Sequence, residues 1–159
     1  MVLVWLRLLV YSKRQGVVMF SHILWSSLSG DWSTPDELMA TLDNEFHFTL
    51  DPCPLNAEFD GLDITWDGVV FVNPPYGRTI LTNWVSKGYE SALYDGATVV
   101  MLLPSRTNTQ WWHDYVMKGE IRFIKGRLKF GGAINSAPFP SVVVIFSPTI
   151  LKAVGRSDV

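Results

Sequence analysis

The apolar run ATVVMLL at 97–103, six apolar residues and one threonine, is the feature that most limits how this chain can fold. Such a continuous run is typical of a strand that is covered on both faces of its sheet. Pro104 follows directly and has no amide hydrogen for the sheet ladder, so the strand must end there. The run therefore predicts a buried central strand with further elements packed on both sides.

Two other apolar segments end in proline-bearing turns in the same way. FHFTL at 46–50 runs into Asp51 and Pro52, and VVFV at 69–72 runs into Asn73 and Pro74. Apolar periodicity between and after these strands predicts helices. The helices are expected at about 35–44, 79–94 and 109–118.

The alternation of strands and helices predicts an α/β fold with a mostly parallel sheet. Residues 121–130 and 141–146 are expected to close the sheet as two antiparallel strands, a C-terminal hairpin with a long loop. Because parallel strands end on one edge of a sheet, Asp51, Asn73 and Pro104 should share a crevice there. Open α/β sheets bind ligands at this edge, so we expect the active site in that crevice.

The first helix carries a start signal in its sequence. Thr34 is predicted as the N-cap, Pro35 as the first helical residue and Glu37 as the residue that closes a capping box. Its apolar face is expected to consist of Leu38, Met39 and Leu42. The expected apolar residues of the second and third helices are Ile80, Trp84, Val85, Leu93, Trp111, Trp112 and Tyr115.

Composition limits the function classes. With 159 residues and 48% hydrophobic content, one folded domain is expected, which we place at 21–159. Cys53 is the only cysteine, which excludes an internal disulfide and a cysteine zinc cluster and is typical of a reducing, intracellular setting. The histidines lack a metal-like spacing, and His47 is expected to have a structural role inside an apolar strand. No metal site is expected.

Residues 1–20 are interpreted as a peripheral or non-native extension. The apolar stretch at 1–10 is far shorter than the roughly 20 residues that span a bilayer, and it lacks the features of a signal peptide. Two interpretations stay open: an extra edge strand or helix, or upstream sequence preceding a true start at Met19. No contact with a membrane is expected.

Charge is distributed unevenly along the chain. Residues 31–77 contain ten acidic residues and no Lys or Arg, whereas residues 78–130 contain eight basic and four acidic residues. The first segment therefore carries a charge of −10 and the second +4. Such a division favours a cationic partner for the first half and an anionic partner for the second, unless both are simply solvated surfaces.

The tetrapeptide after the second strand, Asn73-Pro74-Pro75-Tyr76, has the chemistry to bind an amino group. The side-chain oxygen of Asn73 and the carbonyl of Pro74 can both accept hydrogen bonds from one NH2 group. The prolines fix these acceptors in advance, which is the preorganisation that electrostatic catalysis requires. Tyr76 offers a face on which a base can stack. The alternative is a strand terminator without chemical function.

The chain resembles the phage-type Dam family of DNA N6-adenine methyltransferases, which use S-adenosylmethionine (SAM). NPPY is the hallmark of amino-group methyltransferases that use SAM, and the resemblance extends from about Asp31 to Phe146. It implies a three-layer, Rossmann-like SAM-dependent methyltransferase fold. The matching blocks are DWSTPDEL, FHFTLDPCPLNA, DGLDITWDGVVFVNPPYGR, NWVSKG, TVVMLLPSRTNTQWWHD, IRFIKGRLKF and NSAPFPSVVVIF.

The resemblance also implies roles for individual residues. The expected catalytic clamp for the target adenine is Asn73, Pro74, Pro75 and Tyr76. The expected SAM-binding residues are Thr34, Pro35, Asp51, Cys53 and Asp63. The turn reads DPCP where the family pattern is a glycine-rich DPxxGxG. Which acid binds the ribose of SAM is therefore open, with Asp51 preferred over Asp60 and Glu58.

Double-stranded DNA is the partner that the resemblance implies for the basic half. Candidates for phosphate or base contacts are Arg78, Arg106, Arg127 and Lys129, each weighed against ordinary surface charge. Target specificity is expected in the loops at 104–110 and 131–138. The expected location is the cytoplasm of a bacterial host cell, with the gene carried by a phage or prophage. Methylation of RNA or of a protein glutamine, or DNA binding without catalysis, are the alternatives.

Overall fold

The computed structural model describes residues 33–54, 57–131 and 133–155, so the extension predicted at 1–20 lies outside the described residues. In chain order the elements are α1 (Asp36–Phe46), β1 (Val69–Val72), α2 (Ile80–Glu90), β2 (Thr98–Pro104), α3 (Gln110–Asp114), β3 (Glu120–Phe123), β4 (Ser141–Phe146) and α4 (Pro148–Val154). A π-helical turn, Ser91–Asp95, continues α2, and a 3-10 turn, Val116–Lys118, follows α3.

The four strands form one mixed sheet in the order β1-β2-β4-β3. β1 and β2 are parallel, whereas β4 pairs antiparallel with both β2 and β3. The antiparallel C-terminal hairpin is confirmed, but a mostly parallel sheet is not, since one of the three strand pairs is parallel. The run at 97–103 forms the predicted central strand, and every residue of β2 after Thr98 is buried.

Helices and loops cover both faces of this sheet. Alternate residues of β1, β2 and β4 pack with α2, α3 and α4 on one face, where Val70, Met101 and Val144 lie in one apolar cluster. The other set packs against α1 and the segment between β3 and β4, in a second cluster that includes Phe71 and Leu102. The strands are therefore the middle of three layers, as their apolar composition predicts.

The strand predicted at 46–50 is wrong. Helix α1 continues to Phe46 and ends where His47 takes a left-handed conformation, with φ 56° and ψ 67°. The chain then turns and meets β1 at Thr49 and Leu50, and Leu50 forms an isolated parallel bridge with Val70. His47 is exposed at this turn, so the structural role expected for it inside a strand is also wrong. Phe48 is the buried residue of the segment.

The buried face of α2 differs from the predicted one. Leu81, Trp84, Val85 and Gly88 are buried, whereas Ile80 and Leu93 are each 43% exposed. The first four follow the i, i+3, i+4, i+7 spacing of one helix face, and the wider π-helical turn changes this spacing before Leu93. Gly88 belongs to this face because a Cβ there would lie 2.7 Å from the sulfur of Met101.

The last predicted elements are present but shorter. The helix predicted at 109–118 is divided into α3 and the 3-10 turn, and the strand predicted at 121–130 is confined to β3. Trp111 and Trp112 are buried as expected, and Tyr115 is half-buried. Within the described part of the chain, no helix has the length and hydropathy needed to cross a bilayer.

Candidate active site

The ends of three chain segments meet at one edge of the sheet. Leu50 bridges Val70 in the parallel sense, and Val72 lies opposite Met101 in the parallel pair of β1 and β2. The residues that follow, Asp51 and Asn73, therefore leave the sheet at the same edge as the end of β2. The shared edge is as predicted, whereas a crevice lined by Asp51, Asn73 and Pro104 stays a prediction.

Asn73 is buried at this edge, and its side chain is bonded to a residue that precedes α1. The Nδ2 atom of Asn73 donates a hydrogen bond of 3.1 Å to the hydroxyl oxygen of Thr34, and the two residues are 3% and 4% exposed. Pro35 is the N-cap of α1, and no side chain caps the helix. The predicted capping box is therefore wrong, because the Thr34 hydroxyl faces Asn73 rather than the first amides of the helix.

Tyr76 approaches Asn73 from the opposite side. Its hydroxyl lies 2.9 Å from Asn73 Oδ1 and 3.0 Å from the carbonyl oxygen of Leu102 in the central strand. The Tyr76 ring makes edge contacts with Phe130 and Phe139, with ring centroids 6.2 and 5.5 Å away. These contacts fix the ring while its hydroxyl reaches the buried end of the site.

The Tyr76 hydroxyl is a hydrogen-bond donor throughout the physiological pH range. Burial raises its pKa well above the usual range, and the positive charge of Arg106 opposes this only in part. Arg106 is half-buried and lies in the loop after β2. Its backbone carbonyl accepts from the hydroxyl of Thr109 at 2.7 Å, and the amide of Ser105 donates to Pro140 at 2.9 Å. The loop that carries Arg106 is thus held at both ends.

Tyr76 opens onto a cavity of about 570 Å³. The lining residues are Tyr76, Arg78, Arg106, Thr109, Gln110 and Trp111. The structure therefore brings together Tyr76 and two of the four arginine and lysine residues predicted for DNA. Arg127 and Lys129 are exposed on the segment after β3 and are not among the residues that line this cavity.

Three lining residues are not among the individually predicted site residues, although Thr109 and Gln110 fall within the predicted specificity loop at 104–110. Thr109, Gln110 and Trp111 lie where the loop after β2 enters α3. Their position after the carboxyl end of the central strand was an available signal, since ligands bind at that edge. The sequence predicts Trp111 as a core residue, and in the structure it is both 5% exposed and part of the cavity lining.

The turn after Leu50 places a carboxyl group in a partly buried setting. The amide of Cys53 donates a hydrogen bond of 2.8 Å to Asp51 Oδ1, which closes the turn. Burial raises the pKa of the Asp51 carboxyl to about 7, although this hydrogen bond acts in the opposite direction. Pro52 and Cys53 are buried beneath it.

The loop after this turn is packed closely against it. Gly61 is buried, and a Cβ at this position would lie 1.9 Å from the carbonyl oxygen of Pro52. Glu58, Asp60 and Asp63 are exposed on the same loop, and one carboxylate oxygen of Asp60 accepts from the amide of Leu62 at 2.9 Å. Among the four candidate acids, Asp51 is therefore the one in a partly buried position.

In the described part of the chain, no three His, Cys, Asp or Glu side chains lie close enough together to hold a metal ion. A protein-family model described as DNA N-6-adenine-methyltransferase (Dam) matches residues 24–154. The comparison with curated proteins found no significant match, and neither did the comparison with solved structures.

Proposed function

The chain belongs to the Dam family of DNA N-6-adenine-methyltransferases, and from this we propose that it transfers a methyl group from SAM to the amino nitrogen of a flipped-out adenine in double-stranded DNA. The family implies DNA adenine methylation in general. The observation that carries the finer proposal is the pair formed by Asn73 and Tyr76 beside a cavity lined by two arginines. The three layers support a Rossmann-like methyltransferase fold.

We assign the binding of the adenine amino group to Asn73 and Pro74. Asn73 Oδ1 and the carbonyl oxygen of Pro74 accept hydrogen bonds from the two amino hydrogens. Positive charge develops on the nitrogen as it gains a bond to carbon, and two fixed acceptors stabilise that charge. Pro75 keeps the turn rigid, and the proton leaves to solvent. No cysteine nucleophile is needed, which agrees with the buried position of Cys53.

Tyr76 supplies the stacking surface for the base. Its ring lines the cavity and is braced by Phe130 and Phe139. An adenine inside a duplex cannot bring its amino group to this turn, so the base must rotate out of the helix. A cavity of about 570 Å³ falls within the range of roughly 300–1,000 Å³ that small-molecule sites occupy.

The residues around Asp51 fit the methyl donor. SAM, when bound, supplies the methyl group from a positively charged sulfonium. A partly buried carboxylate at Asp51 can accept hydrogen bonds from ribose hydroxyls, and the close approach of Gly61 to Pro52 keeps its turn in place. Asp63 adds negative charge that suits a cationic ligand. Pro35 and Cys53 complete the proposed SAM-binding set.

Phosphate contacts are assigned to the basic half of the chain. Arg78 and Arg106 line the cavity, so they are placed to bind the backbone on either side of a flipped nucleotide. Arg127 and Lys129 extend the basic surface outside the cavity. A cytoplasmic location in a phage-infected or lysogenic bacterium belongs to this proposal, and it depends on the family resemblance alone.

One experiment tests the substrate class. The full chain is incubated with SAM carrying a labelled methyl group and with duplex DNA, RNA or protein in parallel, and the products are identified by mass spectrometry. We expect N6-methyladenine in DNA only. Label in RNA or on a protein glutamine would assign the chain to another substrate class, and binding of SAM and DNA without any transfer would make it a non-catalytic relative.

A further inference from the structure

We propose that Thr34 is a positioning residue that keeps the amide oxygen of Asn73 turned towards the substrate. This inference depends on the proposed function, because it concerns the reaction of the same site. It is carried by the hydrogen bond of 3.1 Å from Asn73 Nδ2 to the Thr34 hydroxyl, between two side chains that are 3% and 4% exposed.

The amide of Asn73 must present one particular end to the adenine. Its oxygen accepts from an amino group, whereas its NH2 group would oppose the amino group with a second donor. Rotation about the last side-chain torsion of asparagine is soft, so the backbone alone does not select one end. The Tyr76 hydroxyl, which donates to Oδ1, and an acceptor for the NH2 group at the other end of the amide each favour the productive orientation.

Thr34 is that acceptor on geometric grounds. Asn73 Oδ1 accepts a hydrogen bond from the hydroxyl of Tyr76, a residue that lines the cavity. The Nδ2 atom then points to Thr34, which precedes α1 in the chain. A side chain at position 34 without a hydroxyl removes this hydrogen bond from a buried NH2 group, which costs free energy.

Thr34 is held in place by the docking of α1. The helix packs on the sheet through Met39 and Leu42, in the same apolar cluster as Phe71, two residues before Asn73. Thr34 and Asn73 are 39 positions apart in the chain, so this contact depends on tertiary structure. The family resemblance instead implies that Thr34 supports SAM. Support of SAM by Thr34 would change the Kd of SAM on substitution, whereas positioning of Asn73 would change kcat.

The experiment replaces Thr34 by valine, which keeps the shape and removes the acceptor, and by serine, which restores a hydroxyl. We expect Thr34→Val to lower kcat at saturating SAM by roughly 10- to 100-fold, because a buried donor loses its partner. The Kd of SAM, measured by calorimetry, should stay within about twofold of the wild-type value. Thr34→Ser should recover most of kcat.

Thr41→Val is the matched control on the same helix. The Thr41 hydroxyl bonds only the carbonyl of Glu37 within the exposed part of α1, at 2.8 Å, so this variant should keep the wild-type kcat. Melting temperatures of all variants show whether each chain is folded. An equal fall in kcat for Thr41→Val and Thr34→Val would overturn the proposal, since the effect would then belong to the helix.

A double variant tests whether Thr34 acts through Asn73. If it does, Thr34→Val should cause no further loss of rate in the Asn73→Ala background, because the positioned amide is already absent. A further fall there, a weaker Kd for SAM with kcat intact, or no change in any constant would each overturn the positioning role.

A readout without turnover separates this inference from the proposed function. The side-chain amide protons of Asn73 can be followed by NMR, and Thr34→Val should accelerate their exchange with water. If the wild-type chain methylates no DNA, the proposed function fails, and the exchange rates still decide whether Thr34 holds the amide. Unchanged exchange in Thr34→Val would contradict the contact itself.

Discussion

The hydroxyl of Tyr76 lies 2.9 Å from the Oδ1 atom of Asn73, so the residue assigned to stack on the base also touches the residue assigned to bind its amino group. The same hydroxyl lies 3.0 Å from the carbonyl oxygen of Leu102. A hydroxyl has one hydrogen and cannot donate fully to two acceptors. Substitutions can distinguish the hydrogen bonds of the Tyr76 hydroxyl from the stacking of its ring.

Asn73→Ala should abolish most methyl transfer and spare the binding of SAM. Removal of one preorganised acceptor typically costs about 100- to 1,000-fold in kcat, and Asn73 is not among the residues assigned to SAM. Single-turnover transfer to DNA and calorimetry with SAM measure the two effects. Transfer at the wild-type rate in this variant would refute the assignment of the clamp.

Tyr76→Phe and Tyr76→Ala should behave differently. The phenylalanine keeps the ring and loses only the contacts to Asn73 and Leu102, so it should retain base binding. The alanine loses stacking, worth about 1–3 kcal/mol per base. Fluorescence of 2-aminopurine at the target position reports the base in the cavity. If Tyr76→Ala lowered the melting temperature alone and left this signal unchanged, Tyr76 would be a structural residue.

Asp51 should make the stability of the protein depend on pH. Burial raises its pKa from the ordinary value of 3.8 to about 7 in the folded protein, so between these values the folded state binds more protons than the unfolded state. Stability contributed by the neutral carboxyl is present at low pH and is lost as pH rises through 7. Asp51→Asn should therefore be more stable than the wild type at pH 8, with no difference below about pH 4.

The same variant tests the cofactor role of this carboxyl. Asparagine can still accept from the amide of Cys53, so the turn is kept while the charge is removed. We expect Asp51→Asn to weaken SAM binding at pH 8, with a smaller difference at pH 6, where the wild-type carboxyl is mostly neutral. Calorimetry at both values provides the measurement. Equal affinities of the two chains at pH 8 would remove Asp51 from the SAM site.

Arg106→Gln should weaken DNA binding and reduce its dependence on salt. Each phosphate contact adds roughly 0.9 to the slope of log K against log salt, so the slope should fall by about one. Lys152→Gln is the control, because Lys152 is exposed on α4 and does not line the cavity. Titrations at several salt concentrations measure the slope. An equal change in both variants would indicate general charge alone.

Gly61→Ala should displace the turn that carries Asp51. The new Cβ would lie 1.9 Å from the Pro52 carbonyl oxygen and 2.7 Å from the Trp84 ring, and overpacking of this kind typically costs about 1–3 kcal/mol. Chemical denaturation measures the loss. In Gly155→Ala the nearest atom is 3.5 Å from the added Cβ, so that variant should be nearly neutral. A Gly61→Ala variant with the wild-type free energy of unfolding would mean that the turn can shift without destabilising the fold.

The parts of the fold that depend on continuous apolar runs could be predicted from the sequence. β1, β2 and β4 lie where VVFV, ATVVMLL and SVVVIF place them, because burial on both faces leaves few other conformations for such runs. FHFTL could not be predicted, since its alternation fits a strand equally well. The left-handed conformation of His47, which sets the direction of the chain there, leaves no mark in that pattern.

The candidate site shows the same division between local and distant determinants. Asn73 and Tyr76 are conspicuous in the sequence because two prolines and an aromatic residue follow a buried strand. The residues next to Thr34 in the sequence predict that it caps α1, yet its hydroxyl faces a residue 39 positions away. A local pattern cannot show which distant group competes for a hydroxyl, and only the packing of α1 on the sheet decides it.

The isolated bridge at Leu50 also affects which backbone groups of the edge strand β1 can pair with another chain. The amide of Thr49 donates to Val69 at 2.7 Å, the Thr49 hydroxyl accepts from the Val69 amide at 3.0 Å, and the Phe71 amide donates to Leu50 at 2.9 Å. These contacts occupy backbone groups along β1 that would otherwise invite a strand from another chain. Two residues outside any strand thus cover part of the edge at which a strand from another chain could pair.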